Sequence, residues 1–174
     1  MREDEIVITS ELVSRFYRAP EILLGCTYDT KIDIWSIGCT LYELYSGKIL
    51  FPGRNNNEMI KLIMQIKGKI PQKILKRGQF TNHYFNEKGH FVSHEIDNVS
   101  KKEFLKEIEI PQNPTKDLLQ MLKACFRSES EDEKNLVSFR DFLEKCLHLD
   151  PNKRFSAVEA LCHPFIEFNP MLLK

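Results

Sequence analysis

The sequence predicts a mainly α-helical domain, and three stretches carry that expectation. Residues 30–46, TKIDIWSIGCTLYELYS, are apolar on nearly every face. Residues 55–68 repeat apolar positions at helical spacing, and residues 135–151 set Phe139, Phe142, Leu143 and Cys146 on a single face. Period-two alternation is scarce, so little strand is expected.

The bounds agree with that expectation. A chain of 174 residues suffices for one domain with a real core. At 42% hydrophobic and 29% charged, the composition is globular rather than disordered or membranous. Twenty-five basic and 25 acidic residues cancel, so bulk charge points to neither nucleic acid nor a membrane. No apolar run approaches the roughly 20 residues of a transmembrane helix, and the acidic start MREDEIVITS is not a secretory signal. The five cysteines (Cys26, Cys39, Cys125, Cys146, Cys162) form no CxxC pair and read as reduced intracellular thiols, mostly in the core. Cys162-His163 lacks a second ligand pair at zinc spacing. Asn98-Val99-Ser100 matches a glycosylation acceptor, a chance match in a chain without a signal.

In chain order, Pro20 opens a short helix with Glu21 in its first turn, where a carboxylate suits the helix dipole. The central helix follows at 30–46, with Asp29 or Thr30 as cap and Gly47 as its stop; being apolar all round, it belongs in the middle of the domain. Asn55 and Glu58 resemble a capping box ahead of an amphipathic helix bearing Met59, Leu62, Ile63 and Ile66 and ending at Gly68. From Pro71 to about Pro114 short apolar runs, Gly78 and Gly89 suggest an insertion of short helices and loops. Residues 114–126 read as helix with Pro114 in the first turn, and SESEDEK (128–134) as a solvated acidic loop. The stripe at 135–151 is a helix ended by Pro151. A last helix begins near Ser156, with Glu159 completing a capping box, and stops at His163-Pro164.

RFYRAPE, DIWSIGC and LDPNKRFSAVEALCHPF stand in the order and spacing of the C-terminal lobe of eukaryotic protein kinases. Arg15 and Arg18 in SRFYRAPE resemble the CMGC group, and LVSRFYRAPEILLG with CTLYELYSGKILFPGRNNNEMIKLIMQIKGKIP is similar to its splicing-associated pre-mRNA processing factor four family. The resemblance implies the helical C-lobe of the kinase fold. Residues 1–25 would be the activation segment and P+1 loop, 26–70 the central and following helices, 71–133 the CMGC insert region, and 134–174 the terminal helices.

It also implies roles. Glu21 would pair with Arg154 in a buried bidentate ion pair, the alternative being an exposed N-terminal Glu. Asp33 would accept backbone N–H groups of the catalytic loop and anchor it, the alternative being a helix-start acid satisfied by its own turn. Ser14, Arg15, Tyr17 and Arg18 would form the substrate platform. There Ser14 touches the catalytic aspartate, and Arg18 orients a backbone carbonyl beneath the residue after the phosphoacceptor. That leaves a substrate N–H without an acceptor, so proline is not penalised and Ser/Thr-Pro is favoured. Tyr17 reads as packing rather than chemistry. In this group a tyrosine four residues before the first arginine pairs, once phosphorylated, with both. Here Glu11 holds that position, with Thr9 two residues earlier. Either Glu11 stands in for the phosphotyrosine, or it is a solvated loop residue and Thr9 or Ser10 is the switch.

The Gly-rich phosphate loop, the V-A-I-K lysine, the H-R-D loop with its Asn and the D-F-G aspartate have no counterpart in the sequence. The chain reads as beginning inside the activation segment: no catalytic residue, metal ligand or cofactor site of its own, and no activity alone. The implied parent is a nuclear Ser/Thr kinase using ATP and Mg²⁺ on protein substrates, among them splicing factors. The partners are then those substrates, the kinase's own N-lobe and catalytic loop, and a second copy through exposed apolar surface. The alternative from another class is a non-catalytic kinase-like module that binds proteins.

Overall fold

Helix α2 (Lys31–Ser46) is the axis of the domain. Of its two candidate caps Asp29 does the capping: its Oδ1 accepts the Lys31 N–H at 2.9 Å, whereas the Thr30 side chain makes no cap bond. Gly47, at φ 69°, closes the other end. The computed structural model describes residues 13–97, 99–125 and 133–167, and within them α2 buries Ile32, Ile34, Trp35, Cys39 and Tyr42. The expectation that this helix is enclosed on every side needs correction. Ile37 is 45% and Leu44 76% exposed, and with exposed Asp33 and Thr40 they form one open stripe along the helix.

Helices α1 (Pro20–Leu24) and α3 (Asn56–Lys67) share the core with α2. Helix α1 is buried along its whole length. Helix α3 buries Met59, Ile60, Ile63, Met64 and Ile66. Its start departs from the usual box: Asn55 Oδ1 accepts the Glu58 N–H, but the Glu58 carboxylate reaches past Asn55 to the Arg54 N–H at 2.8 Å. After the short helix α4 (Gln72–Leu75) the insertion forms a strand pair that the sequence reading missed, β1 (Phe91–Ile96) antiparallel to β2 (Glu103–Ile108), with Phe91 opposite Ile108. It was missed because β2 is almost wholly exposed, so no buried face imposed an alternating pattern. Turn chemistry sets the pair instead. Asp97 Oδ1 accepts the Val99 and Ser100 N–H groups, and Lys101 takes φ 56°.

Two boundaries also move. Helix α5 (Leu118–Lys123) starts after Asp117, whose Oδ1 accepts the Gln120 N–H at 2.8 Å, rather than at Pro114. Helix α6 (Glu133–Cys146) ends five residues before Pro151, which opens a 3₁₀ turn, Pro151–Lys153. The chain between them packs Leu147 and Leu149 into the core, so tertiary burial ends the helix ahead of the proline. Most of the acidic 128–134 stretch lies outside the described residues, as does Asn98. Ser156 and Glu159 form a complete capping box on α7 (Ala157–Leu161), and α8 (Pro164–Glu167) follows. Cys162 is exposed, while His163 is buried with its Nε2 3.0 Å from Asp141. Burial pushes the thiols of Cys26 and Cys146 up to about 11 and about 12, so both stay protonated core residues.

Gly25 ends α1 at φ 70°, and a Cβ there would lie 2.6 Å from the Phe80 ring. Gly25→Ala is therefore expected to lower the stability to urea by at least ~1–2 kcal/mol from the left-handed backbone alone. Phe80→Leu in the same background should recover only the steric part.

Candidate functional site

The residues expected to form the substrate platform, Ser14, Arg15, Tyr17 and Arg18, lie in the segment that leads into α1. Ser14 to Tyr17 make a single 3₁₀ turn, with the Tyr17 N–H donating to Ser14 O and the Arg18 N–H to Arg15 O. Pro20 then starts α1 with a fixed φ and no N–H to satisfy. Two bonds fasten the turn to α2: the Ser36 hydroxyl donates to Tyr17 O at 2.9 Å, and the Tyr17 hydroxyl donates to Glu43 Oε2 at 2.7 Å. That bond to a carboxylate holds the Tyr17 hydroxyl above its ordinary pKa, as a donor. Glu43 and Ser36 were not singled out in the sequence. A lone acid in the second half of an apolar helix was the available signal for Glu43.

Both arginines reach the start of α3 and the residues just before it. Arg15, exposed, donates from Nη1 to Arg54 O at 2.7 Å. Arg18 is 7% exposed; its Nη1 donates to Asn56 Oδ1 at 3.0 Å and its Nε to Val13 O at 2.5 Å. Val13 O, five residues upstream, is thus occupied, and the chain there is held by a charge-assisted bond. The Ser14 side chain is exposed and makes no cap bond. Thr9, Ser10 and Glu11 lie outside the described residues.

Glu21 and Arg154 meet in the interior. Arg154 Nη1 donates to Glu21 Oε1 at 2.6 Å and Nη2 to Oε2 at 2.9 Å, with the side chains 0% and 2% exposed. Two further donors go to backbone, Nε to His148 O and Nη1 to Lys31 O, and the guanidinium lies 5.1 Å from the Trp35 ring centre. Lys31, which the sequence reading passed over, returns the contact by donating from Nζ to Arg154 O at 3.0 Å.

Asp33 stands apart. It is exposed on the open stripe of α2, and among the described residues its carboxylate meets no donor, its own turn included. No group of three His, Cys, Asp or Glu residues among those described could hold a metal ion.

Glu21→Ala leaves the Arg154 charge buried without a counter-ion and is expected to cost about 3–5 kcal/mol of unfolding free energy in urea titrations. Tyr17→Phe, which removes one bond at a half-buried site, should cost clearly less.

Known proteins with similar sequences supply the family. The protein kinase domain pattern matches residues 2–166. The serine/threonine-protein kinase prpf4B of Dictyostelium discoideum is 47% identical over 94% of the chain, and prp4 of Schizosaccharomyces pombe 48% identical over 91%. The human dual specificity tyrosine-phosphorylation-regulated kinase 3 is 37% identical over 88% of the chain. The chain spans 20%, 33% and 26% of those three proteins' lengths, respectively. With a mainly α fold and the domain pattern covering nearly all of its length, the chain belongs to the protein kinase family, alongside Ser/Thr kinases of the prp4 type.

Proposed function

We propose that this chain carries the substrate platform and scaffold of the C-lobe of a CMGC Ser/Thr kinase. The parent moves the γ-phosphate of ATP to protein hydroxyls, acts on spliceosomal proteins in the nucleus, and does not contact nucleic acid or a membrane directly. The observation that carries the reading is the bond from Arg18 Nε to Val13 O at 2.5 Å. With that carbonyl oriented toward Arg18, the backbone N–H of a substrate residue lying over the turn would find no acceptor there. An unpaired N–H costs free energy, and proline has none to leave unpaired. The platform therefore favours Ser/Thr-Pro.

Asp33 serves this reading as the anchor of the catalytic loop. Its carboxylate lacks donors among the described residues, and it lies on an apolar stripe with Ile37 and Leu44 that suits a packed neighbour. The parent's own N-lobe and catalytic loop are that neighbour. ATP and Mg²⁺ do not fit the residues present. The sequence lacks the Gly-rich loop, the lysine and the D-F-G aspartate, and the described residues bring no carboxylate cluster together. No step of phosphoryl transfer is assigned to this chain, and the isolated chain is expected to be inactive. Glu11, as a weaker substitute for a phosphotyrosine, would add order to the loop through Arg15 and Arg18.

In the complete kinase, Arg18→Ala frees Val13 O. The expected result is that kcat/KM for a Ser-Pro peptide over its Ser-Ala counterpart falls by about 3–10-fold, the worth of one hydrogen bond. Asn56→Ala, which removes a second Arg18 partner, should leave the ratio near its starting value. An unchanged ratio in Arg18→Ala would remove the basis for proline preference. The isolated chain, meanwhile, should self-associate through the open α2 stripe at high micromolar concentration, and a sedimentation experiment giving only monomer would count against that.

A further inference from the structure

We propose that the outer edge of β2 takes up, as a third strand, an extended peptide segment of alternating acidic and basic residues. The two edges of the hairpin differ. The outer edge of β1 is already occupied: the Asn57 amide donates to Val92 O at 2.7 Å and accepts the His94 N–H at 3.1 Å, and the Val92 N–H donates to Tyr84 O. Val92 and His94 thus turn their backbone groups away from β2, while Ser93 and Glu95 turn theirs toward Lys106 and Phe104, their partners in register. It follows that Glu103, Leu105 and Glu107 direct their N–H and C=O groups outward, where no described residue pairs with them. A two-stranded ribbon with one open edge is a template for strand addition.

The side chains on that edge select the occupant. Phe104 and Lys106 lie on one face of β2, with Lys102 just before the strand; Glu103, Leu105 and Glu107 lie on the other, with Glu109 just after it. Phe104 is 44% and Leu105 66% exposed, so each face offers an apolar centre between like charges. Neighbouring groups leave this pattern standing. On the lysine face Glu95 is engaged by Lys61 at 3.0 Å, which together with Lys106 holds its pKa low. On the acidic face His90 approaches Glu107 at 3.5 Å, and His94 is exposed.

A second copy of β2 does not fit antiparallel on this edge. Residues that point outward must oppose residues that point outward, which permits only alternate registers. Centring the pair on Leu105 sets Glu103 against Glu107. Centring on Phe104 sets Lys102 against Lys106. Centring on Lys106 opposes that lysine to its own copy and Glu103 to Glu109. Each places like charges directly opposite, which is destabilising. A chain alternating acid and base meets both faces at once, its acids beside Lys102 and Lys106 and its bases beside Glu103, Glu107 and Glu109.

The test uses the whole chain and two blocked synthetic peptides of one composition, alternating Asp and Arg, or all Asp followed by all Arg. The alternating peptide is expected to bind at least about tenfold more tightly, a gap of roughly 1.4 kcal/mol. Binding should slow amide exchange at Glu103, Leu105 and Glu107 and weaken with salt. Lys102→Glu combined with Lys106→Glu, both exposed positions, should abolish the preference while leaving exchange across the hairpin unchanged without peptide. Equal affinity for the two isomers, binding without protection of those three amides, or a preference that survives the double substitution would each overturn the proposal. So would protection of the same amides that rises with chain concentration alone.

Discussion

The buried pairing of Glu21 with Arg154 is the constraint on which the rest of the domain hangs. The two residues are 133 positions apart, and together they tie α1, the first turn of α2 and the 148–154 segment into one unit. Two charges removed from water are tolerable only when the geometry is bidentate and the remaining donors are satisfied. Arg154 meets that condition through His148 O, Lys31 O and the Trp35 ring. Because α1 is held this way, the residues leading into it have a fixed exit point, and the platform inherits its position from the interior.

The platform is held chiefly by hydrogen bonds to backbone. Tyr17 O accepts from Ser36 of α2 and Arg54 O accepts from Arg15, while Arg18 closes back on Val13 O within the segment, so the local conformation depends on α2 and on the start of α3 as well as on residues 13–18. In the proposed role such an arrangement would present an incoming peptide with few free acceptors and select by what it withholds, since a surface that lacks an acceptor penalises an N–H more than it rewards anything else. Glu43 extends the arrangement into the middle of α2 by accepting the Tyr17 hydroxyl.

The hairpin in the insertion follows a different logic. Its inner strand is fixed by Asn57, a side-chain amide that takes the place of a neighbouring strand, and by the buried faces of Phe91 and Ser93. Its outer strand is bound only to its partner. The Lys and Glu residues that alternate along it guard against pairing with copies of itself, a usual way of managing an exposed edge.

Much of the helical frame was legible from residues alone: α2 from its apolar run and Gly47, α3 from Asn55 and its stripe, α7 from Ser156 with Glu159. Each of these signals is local, a side chain completing a backbone bond within one turn or an apolar period that solvent exclusion enforces. The strands, the early end of α6 and the start of α5 were not, because exposed β2 carries no burial pattern and burial of Leu147 and Leu149 outranks the proline signal. Motif resemblance paired Glu21 with Arg154, but for Arg18 it offered only an unspecified backbone carbonyl. That Arg18 meets Asn56, that Tyr17 meets Glu43, and that Lys31 joins the ion pair are decided by segments brought together from distant parts of the chain. The sequence by itself determined which residues are able to bond. Only the tertiary structure decided which of them do, since a side-chain bond needs its partner within about 3 Å, and spacing along a chain says nothing about distance across a core.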